Sequence, residues 1–119
     1  MLTVEFFVLR GRLIANEMAP RVHNSGHWTI EGAATSQFEN HIRAILGLPL
    51  GSTVPLGHSA MVNFIGTLPD LATVLAIPGV HFHGYGKAPR PSRKLGHCTV
   101  TASSAAARDK GLARLLKSL

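Results

Sequence analysis

Cysteine, acidic residues and aromatic residues are all scarce in this sequence. One cysteine and six Asp and Glu residues occur in 119 positions, and aromatic residues account for 6%. Because Cys98 has no second thiol to pair with, an internal disulfide is excluded and a reducing, cytoplasmic setting is expected. No secretion leader is evident, and Gly, Pro or a charge interrupts every apolar run before the roughly 20 residues needed to cross a bilayer. We therefore expect no membrane partner.

Positive charge and apolar residues are plentiful. Apolar residues make up 45% of the chain, which suffices for the core of one domain or of two small pieces. The 12 Lys and Arg residues give a formal charge of +6, which suits nucleic acid or an anionic small substrate. Four of these cations lie between Lys87 and Lys94, with no aromatic ladder or long basic helix, so we expect a local phosphate site and no nucleic-acid partner.

The first twenty residues have the pattern of a β-hairpin. Residues 2–9 are apolar on both faces and predict a buried strand, and residues 13–18 return beside it. A three-residue turn places Glu5 opposite Glu17, whereas a two-residue turn places Asn16 opposite Glu5. Both registers remain open.

Two facing carboxylates would repel each other unless a cation lies between them. Oxygen ligands on a rigid hairpin favour a hard cation such as Mg²⁺, so Glu5 and Glu17 are candidate metal ligands. The alternative is that each carboxylate pairs with a neighbouring arginine such as Arg21.

The segment after the hairpin is the densest in polar side chains. Pro20 ends the ladder, and Arg21, His23 and Asn24 follow in a predicted loop. An arginine can bind a planar anion, a histidine can move a proton near neutral pH, and an amide can orient what lies between them. We interpret His27 and Trp28 as packing residues beneath this loop.

A helix and a connector follow. Ser36 with Glu39 predicts a capping box, the side chains of Phe38, Ile42 and Ile45 share one predicted apolar face, and Gly47 predicts the end of the helix. Residues 48–57 contain two prolines and two glycines, so we place the domain boundary there, with one domain at 1–50 and the other at 51–119.

The second part predicts strands at 61–65, 80–85 and 95–101, a short helix from Pro69 toward Ala76, and a final helix capped by Ser103 or Ser104. The predicted fold class is α+β. The final helix carries a leucine stripe expected to face the core: Leu112, Leu115, Leu116 and Leu119. The side chains of His81 and His83 share one strand face, where a hydrogen-bonding or solvated role is favoured over zinc.

Four cations lie on the segment 86–97, which contains two prolines. Because the prolines limit the conformations of this loop, its cations can bind a phosphate with little ordering cost. The alternative is that they only increase solubility. The candidate phosphate ligands are Lys87, Arg90, Arg93 and Lys94.

Two long segments carry a family resemblance. NEMAPRVHNSGHWTIEGAATSQFENHIRAILGLPLG and VHFHGYGKAPRPSRKLGH closely resemble the end of the ATP-grasp domain and the C-terminal substrate loop of the carboxyaminoimidazole ribonucleotide synthases, the ATPase subunit of phosphoribosylaminoimidazole carboxylase. These ligases of purine biosynthesis carboxylate aminoimidazole ribonucleotide with ATP and bicarbonate, through carboxyphosphate. The resemblance spans nearly the whole chain.

The resemblance implies a role for each candidate residue. Glu5 and Glu17 would bind Mg²⁺, with Asn16 and Glu17 at the nucleotide. Arg21, His23 and Asn24 would hold bicarbonate and carboxyphosphate, and the basic loop would bind the ribonucleotide phosphate. One departure is Ala19, which stands where the wider ATP-grasp group usually has a metal-binding asparagine.

The resemblance also implies a longer protein, since such enzymes are about three times this length. We therefore expect a C-terminal portion that neither binds ATP well nor turns over alone, and that forms a homodimer or pairs with a complementary N-terminal chain. The alternative is a non-catalytic ribonucleotide-binding module. A biotin carboxylase fits RPSRKLGH poorly, so neither biotin nor zinc is expected.

Overall fold

The computed structural model describes all 119 residues and divides them into two compact units, Met1–Val54 and Pro55–Leu119. The division falls after residue 54, inside the predicted connector, rather than after residue 50. Both units combine helices with a small sheet, as the α+β prediction requires. None of the helices has both the length and the apolar character needed to span a bilayer.

The first unit consists of a hairpin followed by short helices. Its strands are β1 (Thr3–Leu9) and β2 (Arg12–Ala19), and its helices are α1 (Thr29–Gly32) and α2 (Gln37–Ile45). A single 3₁₀ turn at Asn24–Gly26 lies between the hairpin and α1. The ladder ends before Pro20, as predicted, because a proline has no N–H to donate.

The hairpin turn contains two residues rather than the three that would face Glu5 with Glu17. Arg10 and Gly11 have positive φ values of 49° and 75°, the combination that joins two strands with the least distortion. Leu9 therefore pairs with Arg12, and the regular register continues to Phe6 and Ala15. A β-bulge then shifts the register by one residue.

Asn16 is the extra residue at this bulge, so Glu5 pairs with Glu17 after all. The predicted facing of the two carboxylates is confirmed, but it arises from the bulge and not from a three-residue turn.

The apolar faces of the first unit are more exposed than predicted. Strand β1 was expected to be buried, yet Phe7 is 57% exposed and Val8 72%, because a two-stranded ribbon has no second layer of its own. Ile42 and Ile45 on α2 are also exposed, at 55% and 66%. The helix begins where predicted, since the Ser36 hydroxyl accepts the Glu39 N–H at 3.1 Å.

The second unit is a three-stranded antiparallel sheet covered on one face by helices. Strands β3 (His58–Ile65), β4 (Val80–Gly84) and β5 (Lys94–Ala102) lie in the order β3-β5-β4. The helices are α3 (Leu71–Leu75) and α4 (Ala105–Lys117). Alternate residues of the strands join both helices in a core formed by Phe64, Val74, Val80, Cys98, Val100 and Leu115.

Helix α4 buries a narrower stripe than the leucine pattern predicts. Leu115 is completely buried, whereas Leu116 and Leu119 are more than half exposed. Gly111, one turn before Leu115, lets the helix approach the sheet closely, because a Cβ atom there would lie 2.8 Å from Cγ1 of Val100. Ser104, not Ser103, caps the helix.

Helix α3 begins at Leu71, two residues later than predicted from Pro69, because Asp70 serves as its cap. The Asp70 carboxylate accepts the Thr73 N–H at 2.9 Å. Hydrogen bonds from Thr73 hold the pKa of Asp70 below its usual value.

Candidate active site

The bulge in β2 brings an amide and two carboxylates together at the end of the hairpin. The side chain of Asn16 donates to Oε1 of Glu5 at 2.6 Å. Glu5 is half-buried and Glu17, its partner across the ladder, is exposed. The bulge therefore orients one carboxylate while the other remains open to solvent.

His23 completes this cluster from the loop that follows the hairpin. The residue is buried, at 9% exposure, and its Nε2 lies 2.6 Å from Oε1 of Glu17. Its Nδ1 lies 2.8 Å from the Ser25 hydroxyl and 3.3 Å from the Ser25 backbone nitrogen. A backbone N–H can only donate, so Nδ1 accepts and the ring proton lies on Nε2, directed at Glu17.

Ligand atoms of Glu5, Glu17 and His23 all lie within 4.8 Å of one another, close enough to hold a metal ion. The donor set fits a hard cation, because the two carboxylates supply charged oxygen atoms. Both ring nitrogens of His23 are engaged in hydrogen bonds, Nδ1 with Ser25 and Nε2 with Glu17. The two glutamates are thus the residues of this cluster that fit a metal such as Mg²⁺.

Arg21 and Asn24 lie on either side of His23 in the sequence. Arg21 is exposed, and its guanidinium donates to the Val22 carbonyl at 3.0 Å. Glu17 is paired with His23 rather than with Arg21, so the arginine-pairing alternative for the hairpin is wrong. Asn24 opens the 3₁₀ turn, and its carbonyl accepts the His27 N–H at 3.1 Å.

The basic loop of the second unit is shaped by its own hydrogen bonds. The Arg93 N–H donates to the Arg90 carbonyl at 3.2 Å, and the Arg93 carbonyl accepts the Gly66 N–H at 2.8 Å, which anchors the loop to the end of β3. The Arg93 guanidinium donates to the Ala88 carbonyl at 3.3 Å. Lys87 and Arg90 are exposed. Lys94 lies in β5 rather than in the loop.

A cluster of aromatic and imidazole rings, of which His97 is buried, lies beside this loop. The Tyr85 hydroxyl is 2.8 Å from Nδ1 of His97, and the rings of His97 and His83 stack at 4.7 Å. The Lys87 ammonium lies 5.5 Å from the centre of the Tyr85 ring, within range of a cation–π interaction. Burial raises the pKa of the Tyr85 phenol. The imidazole of His83 thus contacts a ring rather than only solvent.

Two residues that contact the candidate site residues, Gln37 and His97, were not predicted from the sequence. Gln37 has the pattern of an ordinary first residue of a helix, and its partner His23 lies fourteen residues earlier in the chain, so no local pattern signals the contact. His97 is 1% exposed, and the alternation of β5 offers no reason to expect a buried imidazole. The one available signal is its place opposite His83 in antiparallel strands.

Comparison with known families defines the class of protein. Residues 1–38 match the ATP-grasp domain, and residues 59–110 match the phosphoribosylaminoimidazole carboxylase C-terminal domain. The ATP-grasp match thus lies in the first unit, and the carboxylase C-terminal match lies in the second.

Individual relatives agree with both matches. The chain is 59% identical over 106 residues to N5-carboxyaminoimidazole ribonucleotide synthase of Pseudomonas aeruginosa, covering 89% of this chain and 29% of that protein. It superposes with a TM-score of 0.96 on N5-carboxyaminoimidazole ribonucleotide synthetase of Thermus thermophilus, at 62% identity, covering 99% of this chain and 33% of that one. The Aspergillus clavatus enzyme, solved with ADP and 5-aminoimidazole ribonucleotide, gives a TM-score of 0.90 at 41% identity, over 98% of this chain and 34% of that one.

Over the part of their length that it spans, the chain is a homologue of the N5-carboxyaminoimidazole ribonucleotide synthases. It spans about a third of the length of these relatives.

Proposed function

We propose that this chain supplies part of the active site of an ATP-grasp ligase that carboxylates 5-aminoimidazole ribonucleotide in purine biosynthesis. The observation that carries the proposal is the cluster in which Glu5 faces Glu17 and His23 donates to Glu17 at 2.6 Å. Homology to the synthases and the ADP and ribonucleotide complex of the Aspergillus clavatus relative support it.

The proposed reaction has two steps. An oxygen of bicarbonate attacks the γ-phosphorus of ATP, the bond to ADP breaks, and carboxyphosphate forms. The exocyclic amine of the ribonucleotide then attacks the carboxyl carbon, loses a proton and releases inorganic phosphate. Bound Mg²⁺ would offset the negative charge of the transferring phosphoryl group.

We assign the first unit to the nucleotide and the anion. Glu5 and Glu17 hold the metal, with the Asn16 amide fixing Glu5, and Asn16 and Glu17 face the nucleotide. Arg21 offers an exposed guanidinium to the planar bicarbonate.

His23 and Asn24 complete this assignment. The Nε2 proton of His23 stabilises the charge on Glu17, and the Asn24 amide orients bicarbonate and carboxyphosphate. Positioning does most of the catalytic work, since carboxyphosphate must meet the amine before water does.

We assign the second unit to the phosphate of the ribonucleotide. Its four candidate ligands are Lys87, Arg90, Arg93 and Lys94. The Arg93 side chain and main chain hold the loop in shape, while Lys87 and Arg90 present charge to solvent. A loop held by its own hydrogen bonds loses little entropy when a phosphate binds.

A second candidate function is a non-catalytic ribonucleotide-binding module that works with a partner. The second unit has its own core, with Cys98 and Leu115 completely buried, whereas the hairpin of the first unit exposes a row of apolar side chains. An identical chain or a complementary N-terminal chain would cover that surface. The cytoplasm is the proposed location for either function.

Calorimetric titration of the purified chain with aminoimidazole ribonucleotide, and separately with Mg-ATP, tests these assignments. Lys87→Ala with Arg93→Ala should weaken ribonucleotide binding about 100-fold, because two charge-assisted contacts are lost. Lys110→Ala with Arg114→Ala removes the same charge from α4 and should leave binding intact.

Because the chain alone is expected to bind ATP poorly, ribonucleotide binding without ATP binding agrees with both functions, whereas binding of both ligands favours the ligase site. Equal weakening by both double variants, or no ribonucleotide binding at all, would overturn the phosphate assignment.

A further inference from the structure

We propose that Gln37 is a positioning residue, whose carboxamide sets the backbone of His23 so that the imidazole meets Glu17. The inference deepens the proposed function, because it concerns the same Glu17–His23 contact. Gln37 lies fourteen residues from His23 in sequence, at the first position of α2.

The Gln37 carboxamide pairs with His23 as a neighbouring β-strand would. Its Oε1 accepts the His23 backbone N–H at 3.0 Å, and its Nε2 donates to the His23 carbonyl at 2.7 Å. The second N–H of the same amide points at Nδ1 of His27, 2.8 Å away. Every hydrogen-bonding group of the carboxamide is thus engaged, apart from one lone pair of its oxygen.

The surrounding loop is shaped to admit this side chain. A Cβ atom at Gly26 would lie 2.6 Å from Oε1 of Gln37, so only glycine leaves the amide its place. The Thr29 hydroxyl accepts the Gln37 backbone N–H at 2.9 Å and donates to the Gly26 carbonyl at 2.6 Å. Side chain, main chain and loop are therefore held in one hydrogen-bonded unit.

This clamp determines where the imidazole of His23 can lie. The His23 carbonyl also accepts the Gly26 N–H at 3.0 Å, and Nδ1 accepts from Ser25, so the turn after His23 is held from both sides. With the backbone fixed, only the two side-chain torsions of His23 need to be set for Nε2 to contact Glu17. Because Gln37 lies at the start of a capped helix, the clamp is attached to a regular element rather than to another loop.

The sharpest test is the imidazole proton that His23 shares with Glu17. In spectra of the isotope-labelled full chain at one fixed pH and low temperature, this Nε2–H should give a protected signal, which His23→Gln identifies by removing it. Gln37→Met removes all three hydrogen bonds, and Gln37→Glu keeps the side-chain volume while losing both donors. Both should abolish the protected signal and leave the amide signals of β5 unchanged.

Two further variants make the test specific. Gly26→Ala should displace the carboxamide and give the same loss while keeping Gln37. Glu39→Gln changes the same helix, but Glu39 bonds Arg43 and not the loop, so the His23 signal should persist.

Two results would overturn the proposal. One is a retained His23 signal in folded Gln37→Met or Gln37→Glu. The other is loss of the α2 signals in every Gln37 variant, which would make Gln37 a folding residue. Neither of these results depends on a bound substrate. The ribonucleotide titration therefore tests the proposed function independently of the role of Gln37.

Discussion

Asn16 donates its side-chain N–H to Oε1 of Glu5 at 2.6 Å, although the two residues are not paired in the ladder. The contact exists because Asn16 is the bulged residue of β2, which leaves Glu17 as the partner of Glu5. One extra residue therefore does two things: it brings two carboxylates face to face and supplies an amide that fixes one of them. A hairpin without this bulge would face Glu5 with Asn16 instead.

This arrangement predicts that Asn16→Ala weakens divalent cation binding. Losing a partner that orients a ligating carboxylate costs on the order of 10-fold in affinity. Binding of Mn²⁺, as a spectroscopic substitute for Mg²⁺, can be followed by electron paramagnetic resonance of the free ion. Asn63→Ala removes an amide from β3 in the second unit and should leave the affinity unchanged. Equal affinities for the Asn16 and Asn63 variants would show that the bulge has no role in metal binding.

Burial of Tyr85 predicts a loss of stability in alkaline solution. The folded state raises the pKa of this phenol. The stability that the neutral phenol contributes is therefore fully present below the unfolded pKa of about 10. It is lost as the pH rises through the folded pKa, since the unfolded chain releases the proton more readily. Denaturant unfolding at a series of alkaline pH values should show this decline.

Tyr85→Phe is the matched control for the alkaline effect. It should lower stability near neutral pH, where the hydrogen bond to His97 is lost, and flatten the alkaline decline. Tyr85 is the single tyrosine of the chain, so phenolate absorbance of the folded protein reports its titration directly. A midpoint at or below that of a free tyrosine would contradict the effect of burial.

The cap of helix α4 gives a third prediction. The Ser104 hydroxyl accepts the Ala107 N–H at 3.2 Å, so Ser104→Ala should lower the free energy of unfolding of the second unit by about 1 kcal/mol. Ser103→Ala changes the neighbouring serine, which is not the cap, and should have a smaller effect. Urea denaturation measures both. A larger loss for Ser103→Ala would place the start of the helix one residue earlier.

Much of the fold could be predicted because the signals are local. Ser36 and Glu39 mark the start of α2, and Pro20 ends the ladder, since capping and the missing proline N–H act within a few residues. The strands of the second unit follow from alternation and from turn residues such as Gly79.

The exposed faces were harder to predict, because the apolar pattern of a helix or strand does not say what covers it. Ile45 fits an inward stripe as well as Leu115 does, yet one is 66% exposed and the other completely buried. The difference arises from the packing of α4 on its own sheet, which the pattern of leucines cannot specify.

The sequence by itself determined the chemistry of this protein: which residues carry carboxylates, imidazoles and cations, and that their order resembles the N5-carboxyaminoimidazole ribonucleotide synthases. Only the tertiary structure decided which of them meet. Glu17 pairs with His23 and not Arg21, and Gln37 reaches back to His23 across the loop. These choices depend on a bulge, a two-residue turn and a clamp between distant residues. The contacts of His23 with Glu17 and Gln37 join residues six and fourteen positions apart, on separate elements, so the pattern of a single strand or helix does not record them.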